Sequence, residues 1–391
     1  MSGGGVKWLI PQLAGLTVGN MAEGRRKITI GLLFGGRSAE HEISRASAAN
    51  ILRALDPDRY DISLIGITRE GRWLLCDVGN GAGTGAALLT IPDKSRQLTL
   101  IPGGRGRFLF CDEGDARDEA APRVDVVFPV LHGPNGEDGT VQGALTLADV
   151  AYVGSAVTGS AAAMDKDVAK RLMRDAGLPV VPFITTTAGS RIEYSAAVAA
   201  LGTADLFVKP ANMGSSVGVS RARSEAEFAA ACERALRYDT KLLIEQRVED
   251  AREIECSVLE DAEGQILASQ LGEIVPASKH GFYSYQAKYI DADGADLRVP
   301  ADVSPQLADR FRGLAIEVFR LLGCEGMARV DFFLSGDDIF VNEANTLPGF
   351  TSISMYPILW EASGLSQSDL MDKLIAHALA RHERRSALNS L

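Results

Sequence analysis

No apolar run in this 391-residue chain approaches the roughly 18 residues that a membrane-spanning helix needs. Cysteine is scarce: Cys76, Cys111, Cys232, Cys256 and Cys324 are scattered without a CxxC pair, and read as reduced, cytoplasmic and structural. Positive charge is in deficit, with 40 Lys and Arg against 51 Asp and Glu and a net charge of -11. That balance argues against nucleic acid or a polybasic membrane contact, because phosphate backbones and anionic lipids demand clustered cations. Internal repeats and low-complexity segments are also missing. What the chain does have is 46% hydrophobic residues and 40 glycines, the composition of an α/β protein rich in tight turns. Its length allows a large core divided into two or three domains.

The most informative stretch is residues 326–357, GMARVDFFLSGDDIFVNEANTLPGFTSISMYP. Apolar and polar positions alternate on both sides of Ser335-Gly336-Asp337, which predicts two strands joined by a turn. On such strands Arg329 shares a face with Asp331, and Glu343 shares a face with Asn345. Folding the hairpin brings an aspartate, a glutamate and an asparagine amide together as hard oxygen donors, a set better suited to Mg2+ than to zinc. A solvated polar face on an edge hairpin is the alternative. Directly after Asn345 comes a turn-rich loop in which Gly349 allows backbone N–H groups to approach a ligand closely.

Residues 1–26 read as a disordered or artificially added extension, with Met21 available as a start. Pro11 interrupts the apolar part and no small-residue cleavage site follows, which argues against a secretory signal. The run KITIGLLF from Lys27 is a buried strand, followed by Gly35-Gly36 and a helix over 44–55. GLLFGGRS is not a phosphate loop, because its first glycine lies within the strand itself. Polar groups at 38–42 stand at that helix's N-terminus, able to meet a substrate carboxylate or to act as ordinary dipole partners. Further strands are read at 61–68 and 72–76, and a hairpin over 97–111 turns at Gly103-Gly104. VDVVFPV ends at Val130, and the loop carrying His132 follows at the strand end where open α/β sheets bind ligands. A purely structural histidine is the competing reading there.

An amphipathic helix is predicted over 160–176, with Met164, Val168 and Leu172 on its apolar stripe, and a new domain begins nearby. LFVKPA then leads into NMGSSVGVS, residues 212–220, either a glycine-rich hairpin closing over phosphates or a plain flexible turn. Glu245 follows three apolar residues in KLLIEQRV, placed to accept hydrogen bonds from a ligand. KHGFYSYQAKYID, without helical or strand period, reads as a lid loop. A buried helix is expected over 304–322 and a surface helix over 369–384.

These segments together resemble the D-alanine:D-alanine ligases of the ATP-grasp superfamily. The likeness rests on the order and spacing of GGRSAEHEIS, LHGPNGEDG, SAAAMDK, KPANMGSSVGVS, EIECSVL, FYSYQAKY, ARVDFF and NEANTLPGFTSISMYP. The fold it implies is α/β, with a Rossmann-like parallel-sheet domain at 27–154, a central ATP-grasp lobe at 155–241 and a C-terminal lobe at 242–391 carrying the lid and the Mg2+ site. By resemblance, Lys166, Lys209 and Lys288 contact the ATP phosphates together with Ser216 of the glycine-rich loop. Glu245 and Glu253 bind adenine and ribose, and Phe282 packs near the base. Asp331, Glu343 and Asn345 match the metal ligands, with two Mg2+ ions implied and Mn2+ as a substitute.

The implied reaction activates one D-alanine as an acyl phosphate, which the amine of a second attacks. Arg329 and the Gly349 N–H match oxyanion-stabilising groups. Glu40 would hold the first ammonium group, His132 would lie near that substrate's carboxylate, and Ser354 and Met355 would receive the second carboxylate. Glu40, Ser215 and Tyr289 would lock the lid. Tyrosine at position 289 accompanies peptide-forming members rather than those that favour D-lactate. Ligases for D-lactate or D-serine are the nearest alternatives, and an inactive nucleotide sensor is the alternative from another class. The resemblance also implies a cytoplasmic homodimer that serves peptidoglycan precursor synthesis.

Overall fold

Strand β1 (Ile28–Gly35) forms where Ile30, Leu32, Leu33 and Phe34 all lose their accessible surface. A run apolar on both faces belongs at the centre of a covered parallel sheet. In the computed structural model, which describes residues 26–77, 88–93, 95–111, 121–276 and 295–388, that is its place. It lies parallel to β2 (Tyr60–Ile67) on one side. Strands β3 (Trp73–Cys76), β4 (Gln97–Leu100) and β5 (Phe108–Phe110) extend that side as antiparallel neighbours. Strands β6 (Val126–Val130) and β7 (Ala151–Tyr152) continue the parallel sheet on the other, giving the order β5-β4-β3-β2-β1-β6-β7. The strand order reverses at β1, so the carboxyl ends of β1 and β6 lie side by side at the ligand-binding crevice of such sheets. Helix α1 (His41–Ala54) starts just after β1, and its buried Ser44 hydroxyl bridges the two strand ends: it accepts from Gly35 N–H at 2.7 Å and donates to the Val130 carbonyl.

The chain returns through α2 (Thr140–Leu147), α3 (Val157–Met164) and α4 (Lys166–Asp175). The single helix expected over 160–176 is therefore two. The Asp165 side chain accepts from the N–H groups of Asp167 and Val168, both at 3.1 Å, and restarts the helix as an N-cap. The restart changes which residues face inward. Val168 and Leu172 are over a third exposed, while Asp167, Ala169, Lys170 and Met173 are buried, so of the apolar stripe read from the sequence only Met164 faces inward.

The second sheet is antiparallel, β10-β9-β11-β8, built from β8 (Phe183–Thr187), β9 (Leu206–Pro210), β10 (Ser220–Ala222) and β11 (Lys241–Gln246). Helices α5 (Tyr194–Leu201) and α6 (Glu225–Ala235) cover one face around Leu206, Val208, Phe228, Leu242 and Ile244. Strand β11 pairs on both sides within this sheet, which therefore runs to Gln246.

The third sheet, β14-β13-β12-β15-β16, comprises β12 (Arg252–Glu260), β13 (Ile266–Pro276), β14 (Ala295–Arg298), β15 (Met327–Ser335) and β16 (Asp338–Asn345). Helix α7 (Pro305–Leu321) packs on it, started by a Ser304 cap and a first-turn proline. Helices α8 (Met355–Ala362) and α9 (Gln367–Ser386) close the fold. The last, expected as a surface helix, exposes Ser368, Asp369, Ala376 and residues 383–386 and buries its opposite face. Leu370, Met371, Leu374 and Ile375 share a core with Ile30, Leu32 and Phe128 of the first sheet, and with Phe350 and Tyr356.

Candidate active site

The β15–β16 hairpin pairs Arg329 with Asn345 and Asp331 with Glu343, turning at Ser335–Asp338 as the alternation predicts. A register shift between Asp331 and Phe332 marks a bulge beside the polar face, a device that re-aims side chains at sites. Arg329 grips Asp331 through two bonds of 2.7 Å, and Asn345 Nδ2 donates to Asp331 Oδ2 at 2.9 Å. Glu255, directly across from Asp331 on β12, is a second carboxylate 3.0 Å from Arg329 Nε. Burial opposes the guanidinium charge, but Asp331 and Glu255 outweigh it and raise the pKa well above the usual value.

Facing this hairpin, α4 and the second sheet deliver the lysines. Lys166 Nζ donates to the Met213 carbonyl at 2.8 Å and lies 3.0 Å from Glu343. Burial works against its charge, and Glu343 wins, raising the pKa. Lys209 Nζ pairs with Glu245 and reaches Asn342 Oδ1 at 3.3 Å. Lys170, fully buried one turn after Lys166, takes the other oxygen of Glu245 at 2.9 Å. Burial alone would raise the Glu245 carboxyl, but the two ammonium groups overcome it and hold the pKa down at about 2. Glu245 thus turns inward, orienting two lysines.

Between these walls lies a cavity of about 370 Å³, where Lys166, Lys209, Ser216, Glu253, Asp331 and Glu343 converge. Phe207 of β9 and Phe333 of β15 give it apolar sides. Ser215 and Ser216, both at positive φ, bend the glycine-rich loop over the cavity mouth. The Ser215 hydroxyl donates to Glu40, linking the cavity to the crevice of the first sheet. Gly133 and Gly214 both approach the Glu40 carboxylate so closely that a Cβ at either would meet Oε2 at 3.3 and 3.2 Å. Glu40 and Ser215 are therefore brought together as the sequence suggested. Tyr289, Phe282 and Lys288 lie outside the described residues.

His132 is buried, with Nδ1 3.0 Å from the Leu347 carbonyl and Nε2 3.3 Å from Ser47 Oγ. Burial lowers its pKa, favouring the neutral ring. Glu137, from the same loop, accepts from Gly133 N–H at 2.7 Å. Burial and the neighbouring Glu40 charge push its carboxyl up to about 8. Gly349 lies against Ser354, whose Oγ would be 2.8 Å from an added Cβ. Ser354 Oγ accepts from Thr351 N–H at 2.9 Å and caps no helix N–H, while the Met355 side chain is buried among Ile274 and Leu359. What Met355 can offer a ligand is its N–H in the first turn of α8.

Sequence reading missed Lys170, Glu255, Glu137 and Ser47. The one available signal was spacing, since Lys170 follows Lys166 by four residues on the same helix face. Among the described residues no trio of His, Cys, Asp or Glu gathers into a metal cage. The donor set of Asp331, Glu343 and the Asn345 amide nonetheless fits a hard divalent cation, each carboxylate already facing a cation of the protein.

Two antiparallel sheets facing each other across a cation-lined cavity, with a parallel-sheet lobe beside its mouth, define an ATP-grasp architecture. Models of the "D-ala D-ala ligase N-terminus" and "D-ala D-ala ligase C-terminus" match residues 29–155 and 172–376. The chain is 73% identical over 371 residues to D-alanine–D-alanine ligase B of Bradyrhizobium diazoefficiens, spanning 95% of this chain and 98% of that one. It is 58% identical to the D-alanine–D-alanine ligase of Methylobacterium sp., covering 92% and 93%. Among solved structures, the D-alanine–D-alanine ligase of Coxiella burnetii superposes with a TM-score of 0.79 at 37% identity, covering 92% of this chain and 96% of that one. The VanG D-Ala:D-Ser ligase of Enterococcus faecalis gives 0.75 at 33%, covering 90% and 100%. The chain belongs to the D-alanine–D-alanine ligase family.

Proposed function

We infer that the chain joins two D-alanines into D-alanyl-D-alanine while cleaving ATP to ADP and phosphate, and that the product feeds peptidoglycan precursors. The observation that carries this reading is the Ser215–Glu40 contact. It couples the loop over the nucleotide cavity to the crevice that holds the first amino acid.

A carboxylate does not condense with an amine in neutral water, so the first D-alanine must be activated. Its carboxylate oxygen attacks the γ-phosphorus, the bond to ADP breaks, and D-alanyl phosphate forms. Lys166 and Lys209, held in place by Glu343, Met213 and Glu245, meet the phosphate oxygens. Lys288 acts with them and Phe282 packs near the base, while Ser216, Glu253 and the Glu245 segment line the nucleotide's path. Asp331, Glu343 and Asn345 would hold Mg2+, two ions with Mn2+ as a substitute, which offsets phosphate charge as a Lewis acid when bound.

Glu40 receives the first ammonium group. His132 borders that substrate with both ring nitrogens engaged by protein groups, so it shapes the pocket without giving up a proton. The second amine then attacks the acyl carbon. The developing oxyanion falls to Arg329 and the Gly349 N–H, and phosphate leaves as the carbonyl re-forms. Ser354 and the Met355 N–H receive the second carboxylate. Tyr289 completes the lock with Glu40 and Ser215 and excludes water, which would otherwise hydrolyse the acyl phosphate. Family membership supports a cytoplasmic homodimer.

Supplying D-alanine with heavy oxygen in its carboxylate tests the acyl phosphate. One labelled oxygen should leave in the released phosphate. Unlabelled phosphate, with dipeptide still forming, would rule that intermediate out.

A further inference from the structure

The loop that carries Gly349 is held on both sides by one hydrogen-bonded chain rooted in α1. Phe350 N–H donates to Ser47 Oγ at 3.1 Å, Ser47 Oγ lies 3.3 Å from His132 Nε2, and His132 Nδ1 lies 3.0 Å from the Leu347 carbonyl. A carbonyl only accepts, so Nδ1 carries the proton. Ser47 Oγ already accepts from Phe350, and its own proton has Nε2 as its acceptor. With a neutral ring the direction of every bond in the chain is fixed, with Ser47 fully buried and His132 nearly so. An imidazolium would leave the Ser47 hydroxyl proton without this acceptor in a site sealed from water.

We propose that Ser47 is a positioning residue for the ligation reaction: directly at Phe350 and through His132 at Leu347 it fixes two peptide groups, and so aims the Gly349 N–H between them at the oxyanion. This rests on the ligase reading given above. The Phe350 ring is anchored independently, edge-on to Phe128 at 6.1 Å and against Tyr356 at 5.4 Å. Removing the Ser47 hydroxyl therefore releases the aim of the backbone rather than the whole loop. A histidine that instead served only to fill the crevice would not depend on a hydroxyl one helix turn beyond Ser44.

The test is a kinetic cycle on the full-length chain with ATP, Mg2+ and D-alanine, using Ser47→Ala, His132→Ala and the double variant. Each single change should lower kcat by about tenfold, a fraction of what deleting an oxyanion donor costs. KM for ATP should stay within about twofold, and the double variant should lose no more than either single one, because all three break the same chain. Heavy-nitrogen spectra of the histidines should show His132 as the neutral Nδ1–H form. Its Nε2 resonance should move downfield in Ser47→Ala and stay near the wild-type position in Ser47→Thr. Multiplying losses, an unchanged kcat in Ser47→Ala, or an Nε2 signal indifferent to Ser47 would overturn the proposal. Absence of dipeptide from the wild type would instead strike the ligase reading itself.

Discussion

Glu137 is a carboxyl group that its surroundings hold in the acid form. Its ordinary pKa of 4.5 rises to about 8 because burial and Glu40 disfavour the charge more than the Gly133 and Leu347 backbone groups favour it. Between those two values the folded chain binds a proton that the unfolded chain has released, so this residue lowers stability as pH rises through the window. Glu137→Gln keeps an acceptor for Gly133 N–H and removes the titration. Urea midpoints measured without nucleotide should therefore show the variant gaining on the wild type from roughly pH 4.5 to pH 8; parallel profiles would contradict this. At the same scale, legibility tracked chemistry in a simple way. Asp331, Glu343 and Asn345 could be read because strand alternation fixes which side chains share a face. Lys170 and Glu255 could not, because a lysine in a helix and a glutamate in a strand ordinarily face water. Only the fold shows that each lies opposite a partner of the other sign.

The break between α3 and α4 is the clearest case at the level of elements. The run from Ser160 to Ala176 carries helical period throughout, and nothing in hydropathy marks Asp165 as a cap rather than a surface residue. Its role follows from tertiary contacts. Besides capping α4, Asp165 takes Lys241 Nζ at 2.5 Å, tying the start of the helix to β11, and the next residue is Lys166. Asp165→Ala should lower stability by about 1–2 kcal/mol, as lost caps do. Asp165→Asn, which keeps the cap but not the charge, should fall between. Denaturant midpoints read both, and an alanine variant as stable as the wild type would show that the helix start is held elsewhere. The buried face of the C-terminal helix was hard to read for a related reason. Its polar positions suggested exposure, yet Arg381 is buried, donating to the carbonyls of Gly154 and Tyr152.

Over the whole molecule, the parts of the proposed active site come from segments far apart in sequence that meet because the lobes share a core. Leu370, Leu374 and Ile375 of α9 share a core with Ile30, Leu32 and Phe34 of β1, and Phe350 joins them from the loop after β16. The crevice at β1 and β6 is thereby fixed against the loop that follows the β15–β16 hairpin. The parallel sheet, the hairpin and the order of the motifs were legible, since each depends on local pattern. The sharing of one core by the two ends of the chain was not, because hydrophobic period names a buried face without naming its partner.

Mass spectrometry of the products formed from ATP, Mg2+ and equal D-alanine and D-lactate is the most direct test of the central claim. D-Alanyl-D-alanine should be the main product, appearing in step with ADP and phosphate. D-Alanyl-D-lactate as the main product would keep the chemistry and overturn the choice of second substrate read from Tyr289. ATP bound without any ligated product would contradict the account as a whole.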